Sequence, residues 1–167
     1  MGEGARTYIF ENLKLEADTI FDFGELYKRL FSWFEVMGYD FYEKNYERHE
    51  LGGAENLKIF WHATKKADEY IEFGIEANFF VTGFQKIEIE KDGLKMKTHK
   101  CKMLLRLSAY LIRDPDDKLK NSIGAIGRNI YEKFVAKKRM DDQEATLYNE
   151  SHLLLDEIKA FVSMHQY

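Results

Sequence analysis

The dipeptide Asp92-Gly93 constrains this chain more than any other feature. A two-residue hairpin turn of type I′ needs positive φ at both central residues, and Asp-Gly is among the few pairs that accept it. Centring the turn there places Glu90 opposite Lys95, Glu88 opposite Lys97 and Ile89 opposite Met96. One register therefore pairs opposite charges on one face and apolar partners on the other. A slip of one residue would destroy both matches at once. The segment 86–98 reads as an antiparallel hairpin.

Beyond the hairpin the alternation slips. Leu94 and Met96 place the inward face on even numbers, whereas Met103, Leu105, Leu107, Ala109 and Leu111 place it on odd ones. A regular strand cannot do both, so a bulge is expected near Thr98-His99, between Thr98 and Lys102. Bulges bend and twist sheets, so the sheet is expected to be curved.

The remaining elements follow from periodicity. Thr7–Leu15 reads as a first strand, with Tyr8, Phe10 and Leu13 or Leu15 facing in. Glu25–Met37 follows as a helix whose Leu26, Tyr27, Leu30, Phe31, Phe34 and Met37 share one face, with Gly38 as its stop. Trp33 falls off that stripe. Strands are expected at Tyr39–His49, Leu57–Thr64 and Tyr70–Val81, the last broken near Gly83. Two helices end the chain: one carries Ile123, Ile126, Ile130, Tyr131 and Phe134. The other is capped by Asp141 or Asp142 and carries Leu147, Ser151, Leu154, Leu155, Ile158, Phe161 and Val162. Lys137, Lys138 and Arg139 would close the first of these, where cations suit the helix dipole. The expected fold is α+β over 1–167 as one domain, with about six to seven antiparallel strands packed against C-terminal helices.

Composition narrows the function classes. A net charge of −4 argues against a protein held on nucleic acid by bulk charge. Aromatic residues make up 15% of the chain, enough for a wide core or a lined cavity. Cys101 is the single cysteine, so no internal disulfide forms and no oxidising compartment is required. No apolar run approaches the ~20 residues of a membrane helix, and no leader is visible at the N-terminus. A cytoplasmic location is the expectation.

The order strand, helix, several strands, C-terminal helix, together with the expected bulge, resembles the helix-grip superfamily of START and Bet v 1-like proteins. In that superfamily a curved antiparallel sheet wraps a long C-terminal helix around a ligand cavity. This chain departs from it in showing one substantial helix after the first strand and two at the end. The resemblance implies a pocket for a small hydrophobic or amphipathic ligand, lined by Trp61, Phe73, Phe79, His99 and Tyr131 from strand parity and helix phase. The same residues serve equally as core. The matching function is a non-enzymatic binding domain. The alternative is a protein-interaction or self-association module, which an exposed Trp33 would favour.

Other motifs carry less. Ile123 to Ile130 contains Gly124-Ala125-Ile126-Gly127, which resembles the phosphate-clamping loop of a KH RNA-binding domain. KH loops carry polar or basic residues where Ala125 and Ile126 stand, so a helix packed closely on the sheet is the simpler expectation, and nucleic acid is not an expected partner. His99 and Cys101 share a strand face, but two ligands make no zinc site. His49, His62, His152 and His165 show no ligand spacing. Glu72, Glu76, Glu88 and Glu90 read as a solvated sheet face. No catalytic residue, metal or cofactor is expected.

Overall fold

A computed structural model describes residues 6–113, Gly127 and 137–164. Strand β1 (Arg6–Ile20) leads into helix α1 (Phe23–Val36). Four strands follow: β2 (Asp40–Leu51), β3 (Ala54–Lys66), β4 (Ile71–Lys91) and β5 (Leu94–Arg113). Helix α2 (Lys137–Met164) ends the described chain. All strand pairs are antiparallel, in the order β1-β5-β4-β3-β2. The class is α+β.

Among the described residues the sheet has five strands rather than six or seven. Segments that read as separate strands on either side of Gly83, and on either side of Thr98–Lys102, are continuous. The hairpin register is as expected: Glu90 faces Lys95, Glu88 faces Lys97 and Ile89 faces Met96. Asp92 and Gly93 take φ of 53° and 76°, the conformation a type I′ turn demands.

The expected bulge in β5 is corrected. β5 keeps odd residues inward from His99 to Leu111, while Met96 is 39% exposed and Leu94 69%. The irregularity lies in the partner strand, where Thr82 pairs with Lys102 but Gln85 with Lys100. One extra residue is absorbed around Gly83, whose φ of 61° glycine adopts without penalty. Before it, Phe79 and Val81 face in; after it, Phe84 and Lys86 take the inward positions, opposite Glu55 and His99. The Ile89–Met96 partnership is right, but it sits beyond the core. Further irregularities occur in β1, between Tyr8 and Leu13, and in β2, at Lys44.

Helix α1 starts at Asp22, whose carboxylate accepts from the Glu25 amide at 3.0 Å. It ends in a Schellman arrangement, with the Tyr39 amide donating to the Phe34 carbonyl at 2.9 Å and Gly38 at φ 80°. Leu26, Leu30 and Phe34 are buried as expected, while Phe31 is 39% exposed. Trp33 is half-buried, stacked on Tyr39 with ring centroids 6.1 Å apart.

Helix α2 buries every residue of its expected stripe, from Leu147 to Val162, and Met140 besides. It begins earlier than expected. Lys137–Arg139 lie within it, and Asp141 and Asp142 are internal rather than caps. No Gly or Pro lies between 137 and 164 to interrupt it. Glu150 fastens it to the sheet, accepting from the Tyr39 hydroxyl at 2.6 Å and pairing with Lys65 at 2.8 Å. Residues from both helices and from the inner face of the sheet form one hydrophobic cluster. Among the described residues no helix is long and apolar enough to cross a membrane.

Candidate functional site

The bulge at Gly83 has a local consequence. Phe84, turned inward, lays its ring on His99 with centroids 4.5 Å apart and meets Phe23 at 6.0 Å. These three rings and the first turn of α1 border a cleft of about 290 Å³. Leu57 and Tyr27 extend the apolar lining; Tyr46 and Arg48 of β2, Glu55 of β3 and Lys86 of β4 supply the polar part. The volume lies at the lower end of the range for small-molecule sites, roughly 300–1,000 Å³.

The electrostatics are set by two fixed groups. Arg48 and Glu55 form a two-pronged ion pair with contacts of 2.5 Å. The Phe23 amide donates to His99 Nδ1 at 3.2 Å. An amide can only donate, so Nδ1 carries no proton and the neutral ring holds its proton on Nε2. Burial lowers the His99 pKa, Asp22 opposes that shift and Lys86 adds to it. Nearby, Glu43 Oε2 accepts from the Tyr27 hydroxyl and from Trp61 Nε1, the latter at 3.1 Å. Burial and the Glu43 carboxylate push the Tyr27 phenol up to about 12.

Protonating His99 must break its bond from Phe23 and would turn Nδ1 toward Asp22, 3.7 Å away. His62 is also held below its ordinary value, first by burial and then by Lys44. A folded-state pKa below the unfolded one gives stability that is present above the unfolded value and lost as pH falls through the folded one. The melting temperature is therefore expected to fall as pH drops below about 6.5. His99→Gln, which can still accept from Phe23, should flatten part of that slope. A slope unchanged in both His99→Gln and His62→Gln would assign the pH dependence to carboxylates instead.

The five residues expected around a ligand are not brought together at this cleft. His99 lines it. Trp61, Phe73 and Phe79 are no more than 2% exposed and belong to the core, with Trp61 and Phe79 in contact at 4.9 Å. Tyr131 lies outside the described residues, as do Ile123, Gly124, Ala125, Ile126, Ile130 and Phe134; Gly127 is helical. Cys101 is buried, its thiol pushed up to about 12 by burial and by Asp18, so it stays protonated. Among the described residues no three of His, Cys, Asp and Glu gather as metal ligands.

Arg48, Glu55, Phe84 and Lys86 carry no motif that marks them as neighbours. One local signal did exist: Asp22 and Glu25 have capping-box spacing and locate the start of α1, which forms the cleft wall. No family model, curated protein or solved structure matches the chain. The fold and the cleft thus define an α+β domain with an open antiparallel sheet and a small, mostly apolar recess.

Proposed function

We propose that this domain binds a small amphipathic ligand in the cleft at the start of α1 and does no chemistry on it. The observation that carries the reading is the composition of the recess: Phe23, Leu57 and Phe84 offer apolar surface, and His99, Lys86 and Arg48 stand beside it. An aromatic ring or short alkyl chain covers the first group, and a polar head meets the second. The strand order supports the same reading, with β1 beside β5, a meander from β2 to β5 and a C-terminal helix on the inner face. The helix-grip resemblance likewise implies an antiparallel sheet packed on a C-terminal helix. Its ligand would sit at the α1 end of the sheet rather than among Trp61, Phe73 and Phe79.

Octanoate and 2-naphthoate are suitable probes for isothermal titration. Phe84→Ala removes one wall of the cleft and is expected to weaken binding by about tenfold or more, a difference of about 1.4 kcal/mol. Phe80→Ala lies on the outer face, where Phe80 packs on Phe60 at 5.7 Å, and should leave affinity unchanged. No saturable binding of either probe, and no small molecule carried through purification in native mass spectrometry, would end this reading.

A further inference from the structure

Among the described residues the sheet ends at β2, which pairs with β3 on one side only. An open edge offers a row of backbone donors and acceptors to any strand that matches it. Tyr42, Tyr46 and Leu51 on this edge are 57%, 49% and 64% exposed. We infer that β2 is a self-complementary edge that pairs antiparallel with β2 of a second copy of this chain, about a two-fold axis through Tyr46.

The argument rests on the bulge at Lys44. Glu43 faces Trp61 and Asn45 faces Phe60, so Lys44 is the extra residue. Without it Glu43 and Arg48, an odd number apart, would lie on opposite faces. With it both lie on the inner face, opposite Trp61 and Leu57. Discounting Lys44, five ladder positions run from Tyr46 to Asp40 and five from Tyr46 to Leu51. Tyr46 is the midpoint of the strand.

A two-fold axis through Tyr46 then sets Glu43 opposite Arg48 of the second copy, twice by symmetry. Asn45 meets Glu47, and Tyr42 meets His49, each pair on a common face. No like charges stand directly opposed. Shifting the axis to Glu47 sets Glu43 against Glu50, and shifting it to Asn45 sets Arg48 against Phe41. The central register is the one in which charge and length agree. Within one chain Glu43 uses Oε2 for Tyr27 and Trp61, and Arg48 uses Nε and Nη2 for Glu55. Among the described residues Glu43 Oε1 and Arg48 Nη1 are not engaged, and they remain for the second copy.

Charge reversal tests this directly by sedimentation velocity. The wild-type chain is expected to dimerise. Glu43→Arg and Arg48→Glu, each alone, set like charges together and should raise the dimer dissociation constant about tenfold or more. In an equimolar mixture of the two variants, one chain is basic at both positions and the other acidic at both. Opposite charges then meet at both places across the axis, and the mixture should dimerise again. Circular dichroism of each variant checks its fold. Tyr46→Cys gives a readout independent of charge. Directly opposed strand residues lie about 4.5–5.5 Å apart between Cα atoms, which suits a disulfide. Oxidation should therefore link two chains through position 46, since Cys101 is buried. A wild-type chain that stays monomeric overturns the inference. So does a dimer that ignores both charge reversals and gives no cross-link in the Tyr46→Cys variant.

Discussion

Trp61→Ala is expected to destabilise the fold by about 3–5 kcal/mol, the range for deleting a large buried aromatic side chain. Trp61 is 2% exposed and stands at the centre of a ring cluster: Tyr27 at 4.8 Å, Phe41 and Phe79 at 4.9 Å, and Phe34 at 6.4 Å. These partners come from α1, β2 and β4, so one side chain joins the helix to the sheet. Its removal leaves a cavity with rigid walls and takes one donor from Glu43. Trp61→Phe keeps most of the ring packing and should cost less than half as much. Urea denaturation followed by the remaining Trp33 gives both values, and the Phe variant supplies the measurement if the Ala variant does not fold. A loss below about 1 kcal/mol for Trp61→Ala would mean that the neighbouring rings collapse into the space, and that the cluster does not hold α1 in place.

What could be read from the sequence was whatever local chemistry decides. The register of the β4–β5 hairpin follows from one turn dipeptide and two charge pairs, all within a few residues. The buried stripe of α2 follows from helical period alone. The inward face of β5 beyond Met103 follows from strict alternation. The errors share a cause. Ile87, Ile89, Leu94 and Met96 alternate as a core strand would, yet past the extra residue at Gly83 the inward positions pass to Phe84 and Lys86, Leu94 and Met96 are exposed, and nothing in the alternation reveals that. Apolar period reports which residues share a face, not whether anything covers it. Gly83 read as a break between strands because a glycine in a strand pattern marks either an end or a bulge; the continuous pairing on both flanks makes it a bulge.

The candidate site was less legible for a topological reason. His99 falls on the inward parity of β5 with Cys101 and Met103, and it does line the cleft. Its neighbours come from α1, β2, β3 and β4, and only the fold brings them together. The outer face presents the same difficulty. There Arg6, His62, Glu76 and Tyr110, one from each of four strands, make a row across the sheet. His62 Nε2 lies 2.7 Å from the Tyr110 hydroxyl, and Arg6 pairs with Glu76 at 3.1 Å. Glu76, expected on a solvated face, is the acceptor in this row. Glu88, in the hairpin segment, fits that expectation better: it pairs with Lys95 at 3.8 Å and both are well exposed.

Gly74→Ala is expected to destabilise by about 2 kcal/mol, although alanine is ordinarily the better strand residue by about 0.5–1 kcal/mol. Gly74 faces Tyr110 across β4 and β5. A Cβ at position 74 would fall 2.3 Å from two ring carbons of Tyr110 and 2.7 Å from its hydroxyl oxygen. The ring therefore lies flat over the glycine. A ring at the end of an exposed side chain would swing aside at little cost, but Tyr110 is fully buried. His62 stacks on it, Tyr8 packs against it at 5.4 Å and the Arg6 guanidinium sits 4.3 Å above its face. Burial raises its hydroxyl well above the ordinary phenol range, and Glu76 adds to the shift, so the group remains a neutral donor. Moving the ring breaks these contacts together, which is why the clash should outweigh the gain in strand propensity. The double-mutant cycle separates the two effects. In a Tyr110→Ala background the clash is gone, and Gly74→Ala should be neutral or stabilising in urea denaturation. If Gly74→Ala costs the same with and without the Tyr110 ring, the close approach of ring and backbone is not what requires glycine there.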